Sequence, residues 1–326
     1  MSENIPAISY RGFSLARTVK DGWEPLVTDL NLDILSGEVV ALVGESGSGK
    51  SLSALACLGL LPGRVRRSSG SLNLFGTDTS TFTERDWQGI RGTQVSMVFQ
   101  DPMTSLDPCF TVGNQIVETI RAHRSIKKSQ ARARAIEIMD HVGIPDPQRR
   151  IDAYPHELSG GLRQRVMIAA ALVMEPKLLI ADEPTTALDV TTQASIVSLV
   201  ARLQSESGMS VLWITHDLGV VASMANRVAV LYAGELVELA PTKQLFESPQ
   251  HPYTMGLIKS AQVHNAGEPF DFIGGSVVEP GHWPVGCRFA PRCSRASSEC
   301  GEHPAVVTSG DHLQVRCVHP GTLVRQ

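Results

Sequence analysis

Short apolar runs recur along this chain, and each ends in a polar or glycine-rich stretch. Residues 37–43, 95–99, 177–181, 210–215 and 227–232 are such runs. They are apolar almost throughout instead of alternating, the pattern of strands buried on both faces. Residues 50–61 read as a helix that Pro62 and Gly63 end. Residues 102–175 read as mainly helical, with a patterned segment at 130–142 and a turn around Pro145 and Pro147. Residues 193–204 read as one more helix. Strands alternating with helices predict an α/β fold with a parallel sheet, and the helical block reads as an inserted subdomain. After about Pro241 the periodicity fades and proline and glycine become frequent. This divides the chain into a core, residues 1–240, and a loop-rich C-terminal extension, residues 241–326.

Composition narrows the picture. The chain has 326 residues, of which 42% are hydrophobic and 19% charged, so a packed core is expected and global disorder is not. A net charge of −4 argues against a nucleic-acid binder. The longest apolar run, residues 166–174, is far shorter than the roughly 20 residues a membrane-spanning helix needs. The N-terminus lacks the basic start and apolar stretch of a secretory signal. The expectation is a cytosolic chain that reaches a membrane through partner proteins.

The first candidate chemistry lies in Gly44, Glu45, Ser46, Gly47, Ser48, Gly49, Lys50 and Ser51, which match G-x-x-x-x-G-K-[ST]. The loop follows a predicted strand and opens a predicted helix. Its glycines let backbone N–H groups face an anion, and the helix start adds partial positive charge. Lys50 suits the β- and γ-phosphates of ATP, and Ser51 suits Mg²⁺. This pattern alone says P-loop NTPase. At the end of the apolar run 178–181, Asp182 and Glu183 place two carboxylates together. Asp182 is placed to hold Mg²⁺ through its water shell, and Glu183 to polarise the attacking water.

Leu158, Ser159, Gly160, Gly161 and Leu162, followed by Arg163, Gln164 and Arg165, resemble the signature motif of the ABC family. The position, between the helical block and the second acidic strand, is the family's. The resemblance implies a RecA-like ABC nucleotide-binding domain with an inserted helical subdomain, about residues 102–175, and Mg-dependent ATP hydrolysis. It also implies roles for further residues. Gln100 matches the glutamine that contacts Mg²⁺ and reports to the membrane subunits. Thr186, Ala187, Leu188 and Asp189 resemble the D-loop, and His216 resembles the switch histidine at the γ-phosphate. Ser159, Gly160 and Gly161 are implied to complete the ATP site of the opposite subunit in a head-to-tail dimer. Two positions depart from the family: Leu162 stands where glutamine is usual, and Arg17 stands where an aromatic residue stacks on adenine, with its guanidinium able to stack on a ring and Trp23 of the following loop as the alternative.

The tail carries Cys287-x5-Cys293-x6-Cys300-x16-Cys317. In a reducing cytosol such a cluster reads as metal-binding sooner than as disulfides. No C-x2–4-C pair of the usual structural zinc site is present, and four thiolates suit a [4Fe–4S] cluster. Zinc, or free or paired cysteines, remain alternatives. Cys57 and Cys109 read as packed small side chains. The tail, the His251-Pro-Tyr-Thr254 stretch and the run from Gln100 to Pro108 resemble one of the two ATPases of oligopeptide and dipeptide importers, a group that includes nickel importers. The resemblance covers about residues 8–320. It implies a second homologous ATPase, two transmembrane permease subunits, an extracytoplasmic solute-binding protein and a peripheral place on the cytoplasmic face of the inner membrane. A soluble, non-transport ABC ATPase is the alternative from another class. Arg121, His123, Arg124, Lys127, Lys128, Arg132 and Arg134 form a basic stretch, read as a solvated face or a contact for anionic lipid.

Overall fold

The computed structural model describes residues 5–20, 22–186, 188–261, 273–309 and 313–321. The chain divides into two compact units, residues 1–34, 39–80 and 214–326 in one, and residues 35–38 and 81–213 in the other.

The first unit opens with an antiparallel sheet of β1 (Ile8–Val19), β2 (Gly22–Ile34), β4 (Val65–Leu74) and β5 (Thr77–Asp78), in the order β2-β1-β4-β5. None of these strands stands out as an apolar run in the sequence. The pairing of β1 with β2 shifts register between Tyr10 and Phe13 and again before Leu15. Each such bulge breaks the two-residue alternation by which a half-buried strand is recognised. Between β2 and β4 come β3 (Val39–Val43) and α1 (Lys50–Ala56). The helix is shorter than the sequence suggests, because the backbone turns through Cys57 and reaches Gly59 at φ +62° before the Pro62–Gly63 pair.

The unit continues after residue 214 with α9 (Leu218–Met224), β9 (Arg227–Tyr232), β10 (Glu235–Pro241), α10 (Thr242–Glu247), α11 (Pro252–Ala261), β11 (Val306–Ser309) and β12 (Leu313–Arg316). β3 pairs with β9 in parallel, and β9 turns back into β10 through Ala233 and Gly234. The extension does not stay loop-like here. β12 pairs with β10, and β11 with β12, so two tail strands lengthen the sheet. Tyr232, Tyr253, Phe289 and Leu313 pack in one core cluster, with Cys287 and Cys293 against it.

The second unit holds α2 (Glu84–Ile90), β6 (Val95–Val98), α3 (Pro102–Ser105), α4 (Val112–His123), α5 (Lys128–His141), α6 (Pro147–Arg150), α7 (Gly160–Leu172), β7 (Leu178–Asp182), α8 (Val190–Ser207) and β8 (Ser210–Ile214). β6 and β7 pair in parallel, and every residue of β7 and β8 is buried. The helix starts follow from capping chemistry. Asp101, Thr111, Ser159 and Asp189 each accept a backbone N–H of the first turn they precede. Gly208 ends α8 at φ +68°, a left-handed cap that glycine adopts without steric cost.

Candidate active site

In the first unit the loop between β3 and α1 turns through three glycines at positive φ: Gly44 at +149°, Gly47 at +79° and Gly49 at +96°. Space is as restrictive as torsion. A Cβ on Gly44 would lie 2.1 Å from the Leu231 carbonyl oxygen, and one on Gly49 would lie 2.6 Å from Val27 Cγ2. Lys50 is buried, and its Nζ donates to the carbonyls of Gly44 at 2.7 Å and Glu45 at 3.0 Å. Ser46 and Gly47 are exposed at the crest, and Ser51 is exposed at the helix start. The Ser48 hydroxyl is buried and has no hydrogen-bond partner among the described residues. A curled, cation-bearing backbone with an orphaned hydroxyl fits a phosphate chain. His216, exposed just beyond β8, lines a cavity of about 220 Å³ with Gly44, Glu45, Leu218, Leu257 and Ser260. The histidine and the loop are therefore brought together.

In the second unit, Asp182 ends β7 at 8% exposure. Glu183 follows at φ +46°, a left-handed conformation unusual for a side chain with a Cβ. The turn aims its carboxylate sideways, where Oε2 accepts from Gln100 Nε2 at 3.2 Å and from Thr186 Oγ1 at 2.9 Å. Ser159 Oγ caps α7 by accepting the Leu162 N–H at 3.4 Å, with Gly160 and Gly161 as the first two helical residues. Only the backbone of Leu162 enters that contact, so leucine in place of glutamine leaves it intact. Asp189 caps α8, accepting the Thr192 N–H at 2.9 Å and the Thr192 hydroxyl at 2.7 Å. These bonds hold its carboxyl below the usual range. A Cβ on Gly161 would lie 2.7 Å from Thr192 Cγ2, so the signature helix and the D-loop helix start side by side. Ala187 lies outside the described residues.

The two adenine candidates are both engaged. Arg17 forms an ion pair with Glu24, and the Arg66 guanidinium sits 3.5 Å above the ring of Trp23, which is 45% exposed. In the basic stretch, Arg132 is held by Asp152 at 2.7 Å and Arg134 by Glu175 at 2.6 Å.

Cys287, Cys293, Cys300 and Cys317 line one narrow gap together with His251 and His319. The gap is small, about 10 Å³. Among the described residues no three His, Cys, Asp or Glu side chains are placed to share a single metal ion. Backbone N–H groups of Arg295 and His319 donate to the sulfurs of Cys293 and Cys317, both at 3.3 Å. Burial pushes the thiols of Cys287 and Cys293 up, and that of Cys317 to about 11. Cys57 is a packed side chain, with its sulfur 2.9 Å from the Tyr10 hydroxyl and its thiol pushed to about 12 by burial. Cys109 corrects the sequence reading. It is exposed in the turn before α4, where its N–H donates to Asp107 Oδ1 at 2.8 Å, so turn geometry places it and packing does not.

Sequence reasoning missed a set of contacts on the phosphate loop. Arg292 grips Glu45 with two bonds, Nη1 to Oε2 at 2.9 Å and Nη2 to Oε1 at 3.2 Å. The Tyr253 hydroxyl accepts the Glu45 N–H at 2.9 Å. Arg288 donates to the Ala233 carbonyl at 2.5 Å, and the Gly234 N–H beside it donates to the Ser48 carbonyl at 3.2 Å. The signal available in the sequence is that Arg288, Arg292 and Arg316 each adjoin a cysteine.

The chain matches the family model described as ABC transporter over residues 27–186, and that described as the C-terminal region of oligopeptide/dipeptide transporters over residues 237–300. The oligopeptide transport ATP-binding protein AppD of Bacillus subtilis is 49% identical over 298 residues, 90% of each chain. A protein of Brucella melitensis named for peptide import ATP binding is 48% identical over 306 residues, again 90% of each. Among solved structures, a dimeric ATP-binding cassette in a post-hydrolysis state with ADP and Pi has a TM-score of 0.65 at 28% identity, covering 72% of this chain and 98% of that one. CbiO1 of Clostridium perfringens, part of an ABC transporter complex, has a TM-score of 0.65 at 28% identity, covering 74% and 91%.

Proposed function

The chain belongs to the ATP-binding proteins of ABC transporters, in the oligopeptide/dipeptide branch, and on that premise we propose that it is the ATP-hydrolysing subunit of a peptide importer. The observation that carries the reading is the glycine-built loop from Gly44 to Ser51, with Lys50 lying across it and His216 on the same cavity.

In this reading the loop N–H groups of residues 44–51 and the Lys50 ammonium bind the phosphates of ATP. His216 meets the γ-phosphate. Glu183 orients the attacking water, and its bonds to Gln100 and Thr186 set the direction of its carboxylate. Ser51, Gln100 and Asp182 would hold Mg²⁺, which neutralises charge on the β- and γ-phosphates. Ser159, Gly160, Gly161 and Asp189 serve the ATP held by a second, homologous ATPase. Arg17 or Trp23 meets the adenine ring. Two permease subunits and an extracytoplasmic binding protein complete the importer, with this chain on the cytoplasmic face of the membrane.

The finer reading of the tail is a [4Fe–4S] cluster on Cys287, Cys293, Cys300 and Cys317. Its support is that the four cysteines line one gap and that the sulfurs of two of them receive backbone N–H bonds. In a four-iron cluster each thiolate holds its own iron, so the sulfurs need not converge on one ion. The raised thiols mean that binding must displace protons. Such a group would supply a covalent cross-link to a tail with little core of its own.

The test is ATP hydrolysis by the chain assembled with its partner ATPase and permeases in liposomes. Stimulation by peptide with its binding protein, abolished by Lys50→Ala, is the expected result. Hydrolysis that responds to nickel and not to peptide would overturn the peptide assignment. Hydrolysis unaffected by Lys50→Ala would overturn the site.

A further inference from the structure

Glu45 is an awkward residue for a loop that binds phosphate. It follows Gly44 directly, its side chain is only partly exposed, and its charge has the sign of the ligand. In a partly buried site, screening by water is weak, and a carboxylate beside phosphate oxygens repels them. The fold answers this charge from the tail. Arg292, with only 6% of its side chain exposed, forms a two-bond fork on the Glu45 carboxylate and also donates to the Tyr232 hydroxyl at 3.4 Å. Its position is set by a short turn of the cysteine segment, Ala290–Arg292, in which the Ala290 N–H bonds the Cys287 carbonyl at 3.0 Å and the Cys293 N–H bonds the Ala290 carbonyl at 3.2 Å. The Glu45 backbone is held separately, by the Tyr253 hydroxyl.

We propose that Arg292 is a positioning residue for nucleotide binding: it neutralises and restrains Glu45, so that the phosphate loop accepts an anion. The inference rests on the ATP-site reading given above. Two contacts support it independently of Glu45. Arg288, beside Cys287, holds the Ala233 carbonyl, and that turn holds the loop carbonyl of Ser48 through Gly234. Arg316, beside Cys317, holds Asp29 at 2.8 Å on β2. The cysteine segment thus reaches β2, the turn after β9 and the phosphate loop of its own unit, and Arg292 touches the loop's charge.

The test is equilibrium affinity of the full chain for ADP and ATP, measured for the native protein and for Arg292→Ala, Arg292→Lys, Glu45→Gln, the Arg292→Ala/Glu45→Gln double variant and Lys50→Ala. Arg292→Ala weakens binding by about five- to thirty-fold, the effect of losing one charged, two-bond contact. Arg292→Lys falls between it and the native protein. The double variant recovers to within about threefold of native, because the unpaired carboxylate is gone. Thermal unfolding of the same variants separates this from a staple that acts only on folding, which would lower the melting temperature and leave the affinity of the folded protein unchanged. Native affinity in Arg292→Ala, or a double variant as weak as Arg292→Ala, overturns the proposal. Lys50→Ala separates the two levels. If it binds nucleotide as the native chain does, the ATP-site reading fails; if it loses binding while Arg292→Ala keeps it, only the role of Arg292 fails.

Discussion

The side-chain amide of Gln100 donates to the carboxylate of Glu183 across 3.2 Å, although 83 positions separate them in the chain. With the Thr186 hydroxyl on the same oxygen, the carboxylate is fixed from two sides at the end of a buried strand. Removing its basicity while keeping its shape is the direct test of its role. Glu183→Gln retains nucleotide binding and lowers ATP turnover by at least about 100-fold, the usual loss for a positioned base. Turnover of the assembled importer, beside ATP binding by the same variant, checks this. Turnover within tenfold of native removes Glu183 from the chemistry.

Gly44→Ala addresses the loop itself. The added Cβ would lie 2.1 Å from the Leu231 carbonyl, at a φ of +149° that alanine rarely adopts. Expected is a loss of about 1–3 kcal/mol in stability from the strained backbone, together with loss of ADP binding. Thermal unfolding with and without ADP measures both, and a variant that ADP still stabilises as it does the native protein contradicts the account.

At the signature helix two substitutions separate cap from side chain. Ser159→Ala removes the hydroxyl that accepts the Leu162 N–H and costs about 1 kcal/mol. Leu162→Gln, touching only a side chain that the cap does not use, changes stability by less than about 0.5 kcal/mol. Denaturant unfolding of both variants decides it, and equal losses would refute the distinction.

His251 gives a pH dependence. It is fully buried and accepts the Tyr253 N–H on Nδ1, and burial lowers its pKa from 6.5 to about 3. Between those values the unfolded chain binds a proton that the folded chain does not, so stability falls as pH falls through the window. The slope from this residue is about 1.4 kcal/mol per pH unit. Burial raises the carboxyl of Glu238, which opposes the trend from its ordinary 4.5 upward. The difference between the native chain and His251→Gln in unfolding free energy from pH 6.5 to 5 therefore isolates the histidine. His251→Gln flattens the slope there by close to one proton, and an unchanged slope would mean the imidazole is protonated in the fold.

The cysteines give a prediction about metal. Protein purified without oxygen carries about four irons per chain, as expected for a cluster on four thiolates. Cys300→Ser loses iron and makes the tail sensitive to protease. Zinc in place of iron, with the same loss in Cys300→Ser, would replace the cluster with a zinc site.

Motifs that work over a few residues were legible in the sequence. The residue types of the strand, glycine turn and helix around Lys50, of the acidic strand end at Asp182 and of the capped start at Ser159 each sit within a few consecutive positions and so could be recognised. The packing that requires the loop glycines, Leu231 and Val27 against them, could not. The buried strands β3, β6, β7, β8 and β9 announced themselves as apolar runs. What pairs across the chain did not. The bulged β1 and β2 hid their alternation, and β12 joined β10 through backbone bonds that carry no residue code. The exposure of Cys109 and the fork of Arg292 on Glu45, 247 positions apart, were decided only by tertiary structure. The reason is physical: a local pattern fixes which face a residue presents, whereas its partner on that face is chosen by packing of the whole unit.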